Sequence, residues 1–256
     1  AQEAYDRAEF NAAGAAFEDA RRGAERSVDL RTAARARLGL AVLQYVRGEL
    51  EDAERELGRA LSSLSRNQDD ATLWSGTVAL TNLMRLQGRF SEARMALSRH
   101  KEAIRLTGRP EAALGLSVAL AEIDLDLERL GEAERLLAPA LRPPVTTLPP
   151  RLAARVAAAL ARLHLANGRF PAAMEVVDNA LEVARSRTMP AHTALLLATR
   201  GEIRARLGAF AEADSLTATA MRDLESMGHR PALAAAALCR ARAFLGRELA
   251  AGALAP

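Results

Sequence analysis

Gly88-Arg-Phe90-Ser-Glu-Ala93 is a stretch that recurs along this sequence and decides the fold. A glycine, a large apolar residue two positions later and an alanine three positions beyond that return with a 40-residue spacing or with twice that spacing. Other full copies begin at Gly48, Gly168 and Gly208, whereas the copies at Ala8 and Glu128 keep the apolar residue and the alanine without the glycine. Self-similarity at a fixed period is the signature of a repeat protein.

Three columns of residues follow this 40-residue spacing, one always alanine, one always small, and one always large and apolar. They are Ala13, Ala53, Ala93, Ala133, Ala173 and Ala213; Ala1, Ala41, Thr81, Ala121, Ala161, Gly201 and Ala241; and Phe10, Leu50, Phe90, Leu130, Phe170 and Phe210. Small residues let two helix backbones approach each other, and a large side chain fills the space beside them. The columns therefore predict two packed helices in each repeat.

Proline and glycine mark the ends of these helices. Pro110, Pro150 and Pro190 share a column, and proline is favoured in the first turn of a helix, where its missing N–H is not needed. The motif glycines fall where that helix must end, consistent with a left-handed cap. These signals predict helix pairs at 29–46 with 51–65, 70–86 with 91–106, 110–127 with 131–141, 150–166 with 171–187, and 190–206 with 211–227, preceded by a helix at 11–25 and followed by one at 231–245.

The motif resembles the tetratricopeptide repeat, a helix–turn–helix unit with glycine at the turn followed by an aromatic residue or leucine and then alanine. The match covers nearly the whole chain, with a 40-residue unit like the long repeats of MalT-type bacterial regulators. The resemblance implies an all-α, right-handed superhelical solenoid of antiparallel helix pairs, in which the first helix of each pair lines a concave groove. We expect about six repeats in a single solenoid, at 1–28 (partial), 29–68, 69–108, 109–148, 149–188, 189–229 and 230–256 (partial), and a fragment of a larger protein because the sequence begins inside a first helix.

The composition excludes several other classes of protein. Only 9 of the 256 residues are aromatic and 58 are alanine, which argues against an all-β fold. The sequence has no run of 18 apolar residues and no signal peptide, and its single cysteine, Cys239, excludes an internal disulfide, so we expect a cytoplasmic protein without a membrane span. The net charge is only +3 and arginines alternate with glutamates, which argues against nucleic-acid binding by this segment.

Polar side chains occupy the columns that would face the groove. One column reads Val42, Asn82, Glu122, Arg162, Glu202 and Arg242, and its last four positions alternate in sign. Equivalent positions in successive repeats are neighbours, so these four predict either a ladder of ion pairs or a polar strip that recognises charges on a partner. Two adjacent columns add further polar side chains. The candidate partner-binding residues are Tyr45, Asn82, Arg85, Glu122, Arg155, Arg162 and Glu202.

The resemblance also suggests a second function to consider, the carboxylate clamp by which some tetratricopeptide domains bind the tail of a chaperone. Asn82 and Arg155 fall on matching columns, but Val78, Ala119 and Ala159 occupy the other clamp positions. Apolar side chains cannot donate hydrogen bonds to a carboxylate. This departure argues against a chaperone-tail clamp.

No set of residues points to catalysis or to a metal. His100, His164, His192 and His229 lie far apart in the sequence, without the spacing that brings metal ligands together on one helix face. Cys239 belongs to a column of small residues and is predicted to pack rather than react. No nucleophile or phosphate-binding motif occurs, so we expect neither enzymatic activity nor a cofactor.

Two functional hypotheses remain open. The first is a module within a larger bacterial regulatory or signalling protein that binds a peptide or protein in the groove, with self-association as a further possibility. The second, from the resemblance to MalT-type regulators, is a domain that senses a small molecule and controls oligomerisation. The proline-rich stretch 141–150 is interpreted as a stiff connector, or alternatively as a docking segment.

Overall fold

All secondary-structure elements of the described residues are helices. The computed structural model describes residues 2–66, 70–106, 110–141 and 147–253, which contain α helices, one 3-10 helix (Ala138–Leu141) and no strand. The α helices are α1 (Gln2–Asp6), α2 (Phe10–Arg26), α3 (Leu30–Arg47), α4 (Leu50–Arg66), α5 (Asp70–Leu86), α6 (Phe90–Leu106), α7 (Pro110–Asp126), α8 (Leu130–Leu137), α9 (Pro150–Ala166), α10 (Phe170–Ser186), α11 (Pro190–Arg206), α12 (Phe210–Ser226) and α13 (Arg230–Ala253). The predicted all-α class is confirmed.

Most predicted helices are found within about two residues of their predicted ends, with two differences. The α helix α8 ends at Leu137 and continues only as a 3-10 turn, because Pro139 has no N–H to donate to the α-helical ladder. The last helix, α13, runs to Ala253 instead of ending near residue 245. Residues 142–146 of the proline-rich stretch lie outside the described residues.

Left-handed residues end the helices at regular positions, and all of their residue numbers end in 8. Among the residues that the structure describes, five are glycines and four are not: Gly48, Gly88, Gly168, Gly208 and Gly228; and Ala8, Val28, Glu128 and Thr188. At Gly48, where φ is 82°, the amide of Glu49 donates to the carbonyl of Gln44 at 3.0 Å. This bond satisfies a carbonyl at the helix end that would otherwise lack a partner.

The contacts divide the chain into two compact units, Ala1–Ile123 and Asp124–Pro256, and the division falls within α7. In the first unit, α3 and α4 form a pair with a common apolar core. Its buried residues are Ala34, Leu38 and Ala41 of α3, and Ala53, Leu57, Ala60 and Leu64 of α4. Their spacing, four and three residues in α3 and four, three and four residues in α4, is that of a helix–helix seam.

The second unit repeats the same construction. In α9 and α10 the seam is built from Ala154, Ala157, Ala161 and Leu165 against Ala173, Val177, Ala180 and Ala184. In the next pair, a Cβ atom on Gly201 of α11 would lie 2.6 Å from Cγ2 of Thr217 and 3.0 Å from the carbonyl oxygen of Ala213 on α12. The column of small residues is therefore the line along which the two helices of a pair meet. The single solenoid and its repeat number stay predictions.

Burial follows the predicted columns. The six alanines from Ala13 to Ala213 are at most 2% exposed, and Ala41, Thr81, Ala121 and Ala161 are fully buried. One member departs from its column, because Ala241 of α13 is exposed. The large apolar column is mostly half-buried, and only Phe10 falls in the buried class.

Candidate partner-binding face

In the first unit, three of the predicted site residues meet. Nη1 of Arg85 on α5 lies 2.7 Å from Oε2 of Glu122 on α7, and it also lies 3.4 Å from Oδ1 of Asn82. Both members of the ion pair are largely buried, with 17% of the arginine side chain and 12% of the glutamate side chain exposed. Tyr45 on α3 is half-buried and packs against the core of the α3–α4 pair.

In the second unit, Arg162 and Glu202 have different partners from those the sequence suggested. Nη2 of Arg162 on α9 lies 2.8 Å from Oδ1 of Asp126 at the end of α7. Glu202 on α11 is 3.7 Å from Nη1 of Arg242 on α13, which is a long contact for an ion pair. The alternating ladder is therefore found at Glu202–Arg242, whereas Glu122 and Arg162 each pair with a residue outside that column.

Asp126 is a site residue that the column analysis missed. It lies one helical turn after Glu122, so both carboxylates share a face of α7. An arginine side chain is long enough to reach a group one turn along the neighbouring helix. The column analysis compared only positions exactly 40 residues apart, so it could not find such staggered pairs. Arg155 is half-buried on α9 and has polar contacts of its own.

In all three pairs the arginine is more exposed than the carboxylate. The exposed fractions are 17% and 12% for Arg85 and Glu122, 29% and 20% for Arg162 and Asp126, and 47% and 6% for Arg242 and Glu202. We use the name paired strip for two sets of residues, Asn82, Arg85 and Glu122 in the first unit and Asp126, Arg162, Glu202 and Arg242 in the second, each described within its own unit. In each pair the more exposed member carries guanidinium N–H donors, and the less exposed member is a carboxylate acceptor.

Cys239 lies close to the buried carboxylate of Glu202. Burial, together with the charge of Glu202 and a hydrogen bond to its carboxylate, raises the pKa of the Cys239 thiol to about 12. The thiol therefore stays protonated at neutral pH, and a protonated thiol is a poor nucleophile. It packs with Ala194, Ala198 and Ala236 in a core shared by α11, α12 and α13.

The histidines of the second unit are held neutral by burial. Burial, with Arg151 and His229 nearby, lowers the pKa of His192 to about 4. Burial also lowers the pKa of His229, whose Nδ1 accepts a hydrogen bond from the backbone N–H of Ala232 in the first turn of α13. Desolvation and the charge of Arg169 lower the pKa of His164. Within the part of the chain that the structure describes, no group of three or more potential ligands could hold a metal ion.

Ion pairs between a glutamate of one second helix and the arginine that precedes the next second helix repeat along the chain. Nη1 of Arg89 lies 2.6 Å from Oε1 of Glu54, and the equivalent atoms two repeats later, Nη2 of Arg169 and Oε1 of Glu134, are 2.7 Å apart. Both pairs join residues 35 positions apart. These equivalent contacts show that the repeated sequence also produces a repeated surface.

A surface cavity of about 290 Å³ lies among α2, α3 and α4 in the first unit. Its walls are Arg21, Arg37, Leu40, Gln44, Glu56 and Arg59. The side-chain oxygen of Gln44 is buried and has no hydrogen-bond partner. Two of the arginines already carry carboxylate partners, since Arg21 and Arg37 both bind Glu25.

Comparison with known proteins gives the fold and no function. No family model matches the chain, and no curated protein matches it. Among 41 matching chains of solved structures is a crystal structure of BtubC (BKLC) from P. vanneervenii, with a TM-score of 0.56 and 20% identity over 89% of this chain and 92% of that chain. At that identity the likeness concerns the helical architecture alone.

A search for membrane-spanning segments gives a negative result for the described helices. None of them combines the length and the apolar character that crossing a bilayer requires.

Proposed function

We propose that this chain is a tetratricopeptide-like interaction module that binds a peptide or protein partner along its first helices, within a cytoplasmic regulatory or signalling protein of bacterial type. In this proposal the helix pairs stack into a right-handed solenoid of about six repeats. The first helices line its inner groove, and the groove carries the paired strip. The chain has no enzymatic activity of its own.

The exposure of the paired strip is the observation that supports this proposal. Arg162 and Arg242 are 29% and 47% exposed, whereas the carboxylates that they contact, Asp126 and Glu202, are 20% and 6% exposed, so the strip presents guanidinium donors that are already held in place. Donors that are ordered before binding lose little conformational entropy when a partner docks. Guanidinium groups bind carboxylates through paired hydrogen bonds. The partner class that fits best is an acidic peptide or an acidic protein surface.

Affinity capture from a lysate of the source cell tests this function with two matched triple variants. The first carries Asn82→Ala, Arg155→Ala and Arg162→Ala on the first helices. The control carries Arg55→Ala, Arg99→Ala and Arg222→Ala, which removes exposed arginines from the second helices α4, α6 and α12. Both variants must keep the helicity and melting temperature of the parent before they are compared.

We expect a protein that the parent and the control retain and the first-helix variant loses. Polyglutamate added to the lysate should displace that protein, whereas polylysine should not, because the strip presents cations. Retention by all three forms would contradict the assignment to the first helices. Displacement by both polymers would contradict the selectivity for acidic partners.

The small-molecule sensor stays as a second candidate because of the cavity at Gln44. A cavity of about 290 Å³ with a buried acceptor that lacks a donor suits a small ligand carrying a hydroxyl or amide donor. A thermal-shift screen of metabolites tests it, with Arg37→Ala plus Arg59→Ala as the comparison. A metabolite that stabilises the parent and not this variant supports the sensor. An absence of stabilising metabolites counts against it.

A further inference from the structure

The cavity among α2, α3 and α4 has charged walls at positions that are apolar in the equivalent grooves. It lies against α3, between the second helices α2 and α4, and its volume is about 290 Å³. The helices α5, α9 and α11 also contact a second helix on either side along the chain. In the columns of Arg21 and Glu56, the grooves over these three helices have Leu61 and Ala96, Leu141 and Val176, and Leu181 and Leu216. The fold therefore does not require charge at these two positions.

A network of ion pairs holds the charged side chains of this cavity. Nη1 of Arg21 lies 2.8 Å from Oε1 of Glu25, and Nη2 of Arg37 lies 3.0 Å from the same oxygen. Nη2 of Arg21 also lies 2.6 Å from Oε1 of Glu18. The carboxylate of Glu25 thus bridges α2 and α3 and places both arginines beside the cavity.

The protein uses only part of the hydrogen-bonding capacity of the cavity walls. Nη2 of Arg37 donates to Glu25, and Nη1 of Arg59 donates to Oε1 of Glu56 at 2.7 Å. Within the described chain, Arg37, Arg59 and Glu56 make no other hydrogen bond or ion pair. Each guanidinium therefore keeps several N–H donors, and Glu56 keeps one carboxylate oxygen. Gln44 adds an amide to the same walls.

The charge around the cavity is unequal. Four arginines and three glutamates form its ion pairs: Arg21, Arg22, Arg37 and Arg59, with Glu18, Glu25 and Glu56. The excess of one positive charge favours a ligand that carries one negative charge. A volume of about 290 Å³ is at the lower end of the range for small-molecule pockets, so the ligand is smaller than a typical drug.

We propose that this cavity binds a small hydroxy acid with one carboxylate. The carboxylate accepts hydrogen bonds from Arg37 and Arg59, for which a guanidinium has the matching geometry. The hydroxyl groups donate to the remaining oxygen of Glu56 and bind the amide of Gln44. An acid without hydroxyl groups would desolvate Glu56 and Gln44 and give them no donor in return. The inference rests on the second candidate function, binding of a small molecule at this cavity, and makes no use of the paired strip.

Isothermal titration calorimetry of the whole chain with gluconate tests the ligand class. The comparison ligands are sorbitol, which has the hydroxyl groups without the carboxylate, and hexanoate, which has the carboxylate without the hydroxyl groups. We expect gluconate to bind with a dissociation constant below about 1 mM and at least about tenfold more tightly than either comparison ligand. Sorbitol or hexanoate binding as tightly as gluconate overturns the proposal. Absence of binding by gluconate, glycerate and lactate also overturns it.

Three variants test the location of the site. Arg59→Ala removes one guanidinium of the cavity, and Arg99→Ala on α6 is its matched control, since Arg99 is an exposed arginine in the same column. Glu56→Leu introduces the residue type that α12 has in this column, so the variant should fold. All three must keep the helicity and melting temperature of the parent.

Arg59→Ala and Glu56→Leu should each weaken gluconate binding at least about tenfold, whereas Arg99→Ala should leave it unchanged. Equal binding by all three variants would place the ligand elsewhere and overturn the proposal. If no hydroxy acid binds but another metabolite stabilises the parent in the thermal-shift screen, the proposed ligand class is wrong and the sensor function stands.

Discussion

Nη1 of Arg85 lies 2.7 Å from Oε2 of Glu122, and this contact joins α5 to α7 across 37 residues of sequence. Both side chains are largely buried, so neither charge is fully solvated when its partner is removed. A buried charge left without its counter-ion is costly, whereas the loss of an exposed pair changes stability little. The pair therefore has a structural role whether or not the strip also binds a partner.

Arg85→Ala should lower the free energy of unfolding by about 1–3 kcal/mol, because it leaves the carboxylate of Glu122 in a poorly solvated position. The control is Arg55→Ala, since the Arg55 side chain is 65% exposed and its pair with Asp52 lies on the surface. That change should stay within about 0.5 kcal/mol. Urea denaturation measures both, and equal effects at the two sites would show that the Arg85–Glu122 contact does not contribute.

The small-residue column can be tested with a matched pair of glycine substitutions. Gly201→Ala adds a methyl group that would lie 2.6 Å from the Thr217 side chain and 3.0 Å from a backbone oxygen. We expect a loss of about 1–3 kcal/mol from this overpacking. Gly58→Ala in α4 adds a methyl group that meets nothing within 4 Å, and it should stabilise by about 0.5–1 kcal/mol through helix propensity. Thermal unfolding distinguishes the signs, and a stabilising Gly201→Ala would refute the close approach of α11 and α12.

Sequence periodicity was sufficient to predict the helices, because the 40-residue spacing fixes both the buried columns and the turns between them. It did not reveal that left-handed residues also occur at the turns between repeats, midway between the motif glycines. Val28 and Thr188 lie at those turns, whereas Ala8 and Glu128 stand in the motif-glycine column itself. None of these four residue types indicates a left-handed backbone. Only the glycines carried a signal that sequence reasoning could use.

The column analysis predicted every residue of the paired strip except Asp126, but it did not predict which residues form pairs. The column analysis placed Glu122 opposite Arg162, yet Glu122 binds Arg85 and Arg162 binds Asp126. A sequence column identifies equivalent backbone positions, whereas an arginine side chain reaches about one helical turn from its own Cα. Pairing between long side chains therefore depends on rotamers, which the periodicity does not encode.

Val28 is a turn residue whose replacement should stabilise the protein. It has a φ of 58°, and it is 75% exposed, so its side chain gains little from packing. A β-branched residue is strained in this conformation, and Val28→Gly should raise the free energy of unfolding by about 0.5–1 kcal/mol. Gly168→Val makes the reverse change at a φ of 69° where the added Cβ meets nothing within 4 Å. It should lower stability by about 1–2 kcal/mol, and chemical denaturation that showed Val28→Gly to be destabilising would contradict this account.

Lowering the pH should reduce the stability of the second unit, because His192 becomes protonated on unfolding, before it affects the surface ion pairs. Because the folded state holds the pKa of His192 near 4, well below its ordinary 6.5, folding disfavours the protonated form. The unfolded chain then binds more protons as the pH falls through 6.5, so stability is fully present above that pH and declines toward pH 4. Hydrogen bonds to Arg21 and Arg22 lower the pKa of Glu18 to about 2, and bonds to Arg37 and Arg21 lower the pKa of Glu25, so these carboxylates stay charged in this window.

Urea unfolding measured between pH 7 and pH 5 should therefore show a loss of about 1–2 kcal/mol, to which His192 contributes most. His192→Gln removes the titrating group while keeping a polar side chain, and it should reduce the dependence of the free energy of unfolding on pH. His229 lies close to His192, and its Nδ1 accepts from Ala232 in the first turn of α13, so protonation there would remove that acceptor. His229→Gln should flatten the remaining slope. If both variants kept the full pH dependence of the parent, the loss would have to arise elsewhere and burial of these two imidazoles would not be its cause.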